Sequence, residues 1–325
     1  MAAPSGGRRA DPAAARCGHA PGALAARAGR AGADAAVSAP AEAPRSAPST
    51  LRALLDLRPP AQRQAYGAHR QQRAELHLPD GPGPHPVVVV LHGGFWRARR
   101  SLRYMRPACA DLARDGWAAW NVEYRRVGRS EGGGWPATFA DVASAIDHLA
   151  DLDAPLDLTR VAAMGHSAGG QLALWAAARP HLPEGVPGAD PGVAITAGVA
   201  ALAAPSDLEA TPDLYGPGGA VFDLMGCTPA EAPDDRYVLG NPIRRLPLGI
   251  PILLLHGDAD RTVPPRRSRE FAAAARAAGD QMNLIEPVGA GHRTVVDPRR
   301  PPWRELIRWL DGLPARSPAR TRAAE

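Results

Sequence analysis

Short, continuous apolar runs alternate with amphipathic stretches through the middle of the chain. These runs, with alternating or mixed patterns at 73–78 and 281–288, predict β-strands near residues 73–78, 86–91, 117–122, 160–164, 193–202, 251–257 and 281–288. The stretches between them predict helices near residues 103–114, 139–152, 171–178 and 267–278. Strands that alternate with helices predict an α/β fold, in which a mostly parallel twisted sheet carries helices on both faces.

The segment 204–248 interrupts this alternation. It is rich in Pro, Gly and Asp, and it contains the large side chains of Tyr215, Phe222, Met225 and Tyr237. Loops of that length are uncommon unless they have a function. We therefore interpret the segment as a small cap insertion that lines the acyl or leaving-group pocket, with a long surface excursion as the alternative. The folded domain as a whole is expected to span residues 51–311.

The two ends of the chain differ in composition from its middle. Residues 1–50 are mostly Ala, Pro, Gly and Arg, with almost no large apolar side chain for a core, so we expect them to be disordered. Residues 312–325 are expected to form a flexible tail. Arg8 and Arg9 precede no uninterrupted apolar stretch, and no run of about 18 apolar residues occurs. These features favour a cytoplasmic protein without a membrane span.

The charge of the chain lies mainly at its ends. All 38 basic residues are arginine, and the formal net charge is +5. Residues 1–50 hold six Arg and three acids, and residues 312–325 hold three Arg and one acid, which leaves residues 51–311 at about zero. Because a nucleic-acid-binding protein concentrates positive charge on its folded surface, this distribution argues against a nucleic-acid partner.

The motif Gly165-His166-Ser167-Ala168-Gly169 lies between a predicted strand and a predicted helix. This context is typical of a nucleophile elbow, in which a sharp turn pushes a serine hydroxyl out of the sheet edge. Glycines two positions to either side leave room for the strand and the helix to approach. The alternative is an ordinary strand-to-helix connection, and we favour Ser167 as a nucleophile.

An acid and a histidine follow Ser167 in the order that this architecture uses. Asp258 and Asp260 lie in the loop after the predicted strand 251–257, and His292 lies after the predicted strand 281–288. Only one of the two carboxylates can orient His292. We favour Asp260, because in the hydrolases that this loop resembles the acid usually lies three residues before a Val-Pro pair, as Asp260 does before Val263. We expect Asp258 to bond nearby backbone amides as a turn residue.

A glycine-rich loop, His92-Gly93-Gly94-Phe95-Trp96, follows the predicted strand 86–91. The backbone amides of Gly93 and Gly94, with that of Ala168, form a candidate oxyanion hole of the kind found in esterases. Phe95 and Trp96 are candidate walls of a substrate pocket, and for Trp96 a position in the core beneath the loop is an equal alternative.

The sequence contains no pattern typical of a metal or cofactor site. The three cysteines, Cys17, Cys109 and Cys227, are too widely separated for a disulfide framework or a zinc site. The following histidines lack metal-ligand spacing and are expected on the surface or in the core: His69, His77, His85, His148 and His181. We expect neither a metal nor an organic cofactor.

Residues 70–311 resemble the α/β-hydrolase superfamily, and the loop His92 to Trp96 resembles the HGGxW motif of kynurenine formamidases and related esterases. The resemblance implies Ser167, Asp260 and His292 as a catalytic triad. It also implies backbone amides as oxyanion donors and small esters or N-formyl aromatic amines as substrates.

Three alternatives stay open at this point. The loop 256–264 also resembles prolyl-oligopeptidase-type catalytic domains, which implies an acylaminoacyl or dipeptidyl peptidase. The roughly 85 residues before the first core strand cannot build the propeller of the larger peptidases, however. A non-catalytic binding member of the fold and an acyl transferase complete the alternatives. The sequence does not indicate the oligomeric state.

Overall fold

The computed structural model describes residues 60–210 and 219–314. The predicted disordered segment, residues 1–50, lies outside the described residues, as does most of the predicted C-terminal tail, residues 315–325. Residues 51–59, which we assigned to the folded domain, also lie outside them.

Eight strands form one sheet within the described residues. They are β1 (Gln62–Ala65), β2 (Arg73–His77), β3 (His85–Leu91), β4 (Ala118–Val122), β5 (Leu156–His166), β6 (Gly198–Leu202), β7 (Ile252–Leu255) and β8 (Met282–Ile285). Their spatial order is β1-β2-β4-β3-β5-β6-β7-β8. The β1–β2 and β2–β4 pairs are antiparallel, and the other pairs are parallel. The predicted mostly parallel sheet is confirmed.

The helices of the described residues are α1 (Arg106–Arg114), α2 (Ala137–Asp147), α3 (Ala168–Ala177), α4 (Ala220–Met225), α5 (Arg236–Gly240), α6 (Arg266–Ala277) and α7 (Pro301–Asp311). Short 3-10 turns add to them at Leu102–Met105, His148–Asp151, Arg179–His181, Pro229–Glu231, Pro242–Arg245 and Thr294–Val296. Helix α1 begins later than predicted because Leu102–Met105 winds as a 3-10 turn, and Pro107 occupies the first turn of α1, where its missing N–H removes no hydrogen bond.

The core forms two layers, one on each face of the sheet. Along β3, Val87, Val89 and Leu91 pack into the layer that includes α2, α3 and α6, whereas Val88 and Val90 pack into the layer with α1 and α7. All five side chains are fully buried. A continuous apolar run therefore forms a strand that is covered on both faces, and each such side chain contributes about 1.5–3 kcal/mol through burial.

The bounds of two strands differ from the predicted ones. β6 begins only at Gly198, because the preceding backbone bends: the N–H groups of Thr196 and Ala197 both donate to the carbonyl oxygen of Val161. β8 ends at Ile285, shortly before Pro287, which has no N–H to donate to a neighbouring strand. Strand β1 and helices α4, α5 and α7 were not predicted.

The predicted cap region, residues 204–248, contains α4, α5 and two 3-10 turns, and its residues 211–218 lie outside the described part. Its described residues pack onto α3. The indole N–H of Trp175 donates to the carbonyl oxygen of Leu239 at 3.1 Å. The side-chain amide of Gln171 donates to the carbonyl oxygen of Gly240 at 2.9 Å. The region is thus anchored to one face of the sheet.

The turn between β5 and α3 holds Ser167 in a strained backbone conformation, with φ 54° and ψ −122°. A positive φ is uncommon for a residue with a side chain and persists only where the surrounding structure imposes it. A methyl group on Gly165 would overlap the carbonyl oxygen of Gly169, and one on Gly169 would overlap that of Leu91. Only glycine fits at both positions, as the motif predicts.

Gly169→Ala is expected to lower the free energy of unfolding by at least about 3 kcal/mol, because backbone atoms cannot move aside to admit the methyl group. That group would lie 2.6 Å from the carbonyl oxygen of His92. Gly192→Ala is the matched control: its methyl group would contact Asp147 at an ordinary 3.7 Å, and a change below about 0.5 kcal/mol is expected. Urea unfolding measures both, and equal losses in the two variants would contradict this account of the turn.

Candidate active site

The loops that follow strands β3, β5, β7 and β8 meet at one edge of the sheet, since the carboxyl ends of parallel strands share an edge. A cavity of about 880 Å³ opens there and is lined by Gly93, Gly94, Phe95, Ser167 and His292, among others. The predicted nucleophile, the predicted base and the glycine loop therefore lie around one cavity.

Asp260 and His292 lie in direct contact behind this cavity. The His292 Nδ1–H donates to Asp260 Oδ2 at 2.7 Å, and the carboxylate is fully buried whereas the imidazole is 15% exposed. Asp258 instead accepts the backbone N–H of Gly289 at 2.6 Å. The structure thus brings Asp260, and not Asp258, to the histidine.

The Asp260 carboxylate accepts further hydrogen bonds. His256 lies 3.1 Å from the oxygen that His292 contacts, and the N–H groups of Thr262 and Val263 donate to the other oxygen at 2.7 and 3.0 Å. Burial by itself favours the neutral acid, but these bonds outweigh it and hold the pKa of Asp260 well below its usual range. The Asp260 carboxylate is therefore negatively charged at neutral pH and faces His292 as an anion.

His256 is the residue that supports Asp260 from the protein interior. Its side chain is fully buried, and its Nδ1 lies 2.7 Å from the hydroxyl of Ser268. Its Nε2 lies 3.0 Å from the carbonyl oxygen of Val263 as well as near Asp260. These contacts leave His256 little freedom, so the carboxylate that orients His292 is itself held in place.

His166, directly before Ser167, contacts the loop that carries His292. Its Nε2 lies 2.8 Å from the backbone carbonyl oxygen of His292, and the hydroxyl of Tyr104 lies 3.4 Å from its Nδ1. Burial, with the neighbouring His292 adding to it, lowers the pKa of His166 to about 3. His166 is therefore a neutral side chain at neutral pH, and its Nε2–H donates to the His292 loop.

The glycine loop approaches the nucleophile turn closely. A methyl group on Gly93 would lie 3.0 Å from Cβ of Ser167 and 2.6 Å from the carbonyl oxygen of His166, so only glycine permits this approach. Gly94 has φ +125°, a conformation that side chains rarely adopt. Ala168 is the first residue of α3, where backbone N–H groups have no acceptor within the helix.

A buried polar network holds the glycine loop from behind. The His92 Nε2 lies 2.9 Å from Glu123 Oε1, and the hydroxyl of Tyr124 donates to the carbonyl oxygen of His92 at 2.6 Å. The second Glu123 oxygen accepts the N–H of Leu102. Burial raises the pKa of Glu123, but the bond from His92 and the charge of Arg126 lower it overall. An ionised carboxylate therefore anchors the loop.

The two aromatic residues of the loop have different surroundings. Phe95 is half-buried and lines the main cavity. Trp96 is only 1% exposed, belongs to the core, and donates its indole N–H to Gln171 at 3.1 Å. It reaches the site only at a recess of about 20 Å³ beside Ser167. Most of the Trp96 side chain therefore lies in the core beneath the loop and does not form an open pocket wall.

The predicted cap region contributes little to these two cavities. Of its described residues only Pro205 lines either cavity that Ser167 lines. The prediction that this region lines the substrate pocket is thus met by a single described residue. Leu239 and Gly240 bond to α3, and Asp223 on α4 pairs with Arg97.

Three supporting residues were missed by the sequence analysis: Glu123, His166 and His256. Glu123 and His256 directly follow the apolar strands β4 and β7, so both lie at the sheet edge where the site forms. A polar residue in that position was the available signal. His166 occupies the variable position of the serine motif, and nothing in the sequence distinguishes its role from that of an ordinary buried residue.

Within residues 60–210 and 219–314, no helix is long and apolar enough to cross a membrane. In the same residues, no group of three or more His, Cys, Asp or Glu side chains is arranged to hold a metal ion. The cytoplasmic location and the expected lack of a cofactor stay predictions.

His166→Gln is expected to weaken the acid dependence of stability. The unfolded His166 takes up a proton below about pH 6.5, whereas the folded one does so only near its pKa of about 3. The stabilisation that the neutral His166 adds to the free energy of unfolding is therefore complete above about pH 6.5. It declines by up to about 1.4 kcal/mol per pH unit as the pH falls towards 3. Urea unfolding between about pH 6.5 and 4.5 measures the slope for both proteins. Parallel slopes would contradict a neutral buried His166.

The chain is similar to several known esterases. It is 28% identical over 224 residues to esterase LipC of Mycobacterium tuberculosis, a match that covers 64% of this chain and 53% of LipC. It is 27% identical over 240 residues to esterase LipQ of the same organism, covering 66% of this chain and 55% of LipQ. The chain thus spans about half the length of the curated relatives it matches.

Solved structures agree with this similarity. The propionate-bound esterase Est2 of Thermogutta terrifontis matches with a TM-score of 0.62 and 25% identity, over 78% of this chain and 93% of that one. A truncated carbohydrate esterase from gut microbiota matches with a TM-score of 0.66 over 77% and 95% of the two chains, and at 22% identity it supports the fold alone.

These similarities confirm the resemblance to α/β-hydrolases of the serine-esterase kind. The closer resemblance to kynurenine formamidases stays a prediction. The BD-FAE family model matches residues 75–274, more than half of the chain. The chain therefore has the α/β-hydrolase fold and belongs to the BD-FAE family.

Proposed function

We propose that this protein is a serine hydrolase that cleaves small carboxylic esters through an acyl-enzyme on Ser167. The observation that carries the proposal is the 2.7 Å hydrogen bond between His292 and the buried Asp260, formed beside the cavity that Ser167 also lines. The esterase relatives support the same reaction class.

The orientation of His292 determines the first step. Because Nδ1–H donates to Asp260, the free lone pair of the neutral imidazole lies on the other ring nitrogen, Nε2, which acts as the base. It takes the proton of the Ser167 hydroxyl while Oγ attacks the ester carbonyl carbon. Asp260 stays ionised and stabilises the imidazolium that forms.

The backbone amides of Gly93, Gly94 and Ala168 bind the oxyanion of the tetrahedral intermediate in this mechanism. His292 then gives its proton to the leaving alcohol oxygen as the carbon–oxygen bond breaks, which leaves the acyl group on Ser167. Water, deprotonated by His292, attacks the acyl carbon, and the returning proton restores the serine hydroxyl. All of the residues that these steps use lie on loops at the same edge of the sheet, which supports the proposal.

The acyl group in this proposal is small. The recess beside Ser167 measures about 20 Å³ and is closed by Phe95, Trp96, Pro205 and Pro264, among others. A formyl or acetyl group matches a recess of this kind better than a long acyl chain does. Aryl formamides extend the proposal, because their formyl group is the smallest acyl group and the larger cavity offers space for an aromatic leaving group.

Ser167→Ala is expected to abolish labelling by a fluorophosphonate probe and to lower kcat for phenyl acetate by at least about a thousandfold, because the nucleophile, base and orienting acid act as a unit. Gel fluorescence and steady-state kinetics measure the two effects. Equal labelling of both proteins would remove Ser167 as the nucleophile. A wild-type preference for long-chain esters over acetyl esters would replace the small-acyl proposal with a lipase-like one.

Asp260→Asn is expected to lower kcat by about a thousandfold or more, because the amide allows His292 to adopt the wrong tautomer. Asp258→Asn is the matched control on the same loop, since Asp258 bonds Gly289 and not the histidine, and its kcat should stay within a few-fold of wild type. Steady-state hydrolysis of phenyl acetate compares the two, and the reverse ranking would assign the orienting role to Asp258.

A further inference from the structure

Three arginines line the main cavity together with Ser167 and His292. They are Arg99, Arg100 and Arg293, and all three are exposed. No Asp or Glu is among the residues that line this cavity. Arg293 directly follows His292, and Arg99 and Arg100 lie in the loop that begins with the glycines. The cationic groups thus flank the cavity from both the base side and the oxyanion side.

In the part of the chain that the structure describes, these arginines have no acidic partner. Among the described residues, no carboxylate forms an ion pair with Arg99, Arg100 or Arg293. Other arginines near the sheet are paired, for example Arg97 with Asp223 at 2.5 Å and Arg125 with Asp141 at 2.7 Å. Arg100 makes one aromatic contact, with its guanidinium 5.1 Å from the centre of the Tyr104 ring.

Two acidic groups close to this cavity are already engaged. Asp260 lies buried behind His292, and both of its oxygens accept hydrogen bonds. Asp297, in an adjoining cavity, is paired with Arg299 at 2.9 Å and lies 3.9 Å from Arg300. Residues 51–311 are balanced in charge as a whole, so the positive charge at this cavity is a local feature and not the background of an arginine-rich chain.

A concave site lined by one sign of charge attracts a ligand of the opposite sign. Guanidinium groups also pair with carboxylates and phosphates through two parallel hydrogen bonds, which makes arginine well suited to such anions. We infer that the ester substrate carries a negatively charged group, a carboxylate or a phosphate, which Arg99, Arg100 and Arg293 bind while Ser167 attacks the ester carbonyl. This inference rests on the proposed esterase function and specifies its substrate class.

The test compares esters that differ in charge but hardly in size. Phenyl hemisuccinate carries a carboxylate on the acyl side, and phenyl levulinate, with a methyl ketone in its place, is the neutral match. Sodium meta-acetoxybenzoate and meta-acetoxybenzamide place the carboxylate, or its neutral counterpart, on the leaving-group side, and meta-acetoxyphenyl phosphate replaces the carboxylate with a phosphate. For at least one side, kcat/KM for the anionic ester should exceed that of its neutral partner by about tenfold, and added salt should reduce the ratio because exposed charges are screened.

Arginine variants show which residues cause the preference for anionic esters. Arg99→Gln, Arg100→Gln and Arg293→Gln should each lower the anionic-to-neutral ratio, and the triple variant should bring it close to one. Arg276→Gln is the matched control, because Arg276 is an exposed arginine on α6 that does not line the cavity, and its ratio should equal that of wild type. An unchanged ratio in the triple variant would overturn the assignment of these arginines.

Two further outcomes separate this inference from the proposed function. If kcat/KM of the wild type is the same for neutral and anionic esters, the esterase function stands and the inference is wrong. If no ester is hydrolysed, calorimetric binding to Ser167→Ala decides: tighter binding of meta-acetoxybenzoate than of the benzamide, lost in the triple arginine variant, supports an anion site on a protein without the proposed activity. Equal binding of the two compounds overturns the inference as well.

Discussion

The close approach of the turn after β5 to the carbonyl groups at the end of β3 is the constraint on which the site depends. Gly169 lies so near the Leu91 carbonyl that no side chain fits, and the same crowding forces Ser167 into a positive φ. The strained turn presents the serine at the sheet edge. It also brings Gly93 within reach of the same point, so one packing contact positions both the proposed nucleophile and the proposed oxyanion loop.

The remaining groups are positioned by buried hydrogen bonds and not by strain. Asp260 is held by His256 and two backbone amides, and the ionised Glu123 holds His92 at the base of the glycine loop. Both carboxylates are buried with their oxygens bonded, so neither leaves an unpaired charge in the interior. His166, kept neutral by burial, ties the His292 loop to the serine turn. Buried, hydrogen-bonded polar side chains thus support the proposed catalytic groups.

Much of this organisation follows from short sequence patterns, because a parallel sheet buries continuous apolar runs and collects the residues after them at one edge. An acid near His292 was predictable for that reason, and the choice of Asp260 over Asp258 rested on the resemblance of the loop to those of known hydrolases. The position of Trp96 was not, since an aromatic residue after two glycines fits a pocket wall or a core equally well, and only its bond to Gln171 separates the two. The sequence equally could not show that Arg293 has no acidic partner among the described residues, because ion pairs form between residues distant along the chain.

The most direct test of the account is the chemical state of the enzyme during turnover. Wild-type protein quenched in acid while it hydrolyses phenyl acetate should carry one added acetyl group by intact mass spectrometry, and peptide mapping should place that group on Ser167. The account predicts that His292→Ala, which lacks the base, does not accumulate the adduct. An acetyl group on another residue, or steady turnover with no covalent adduct in burst and single-turnover samples, would contradict the central claim that the strained serine forms an acyl-enzyme.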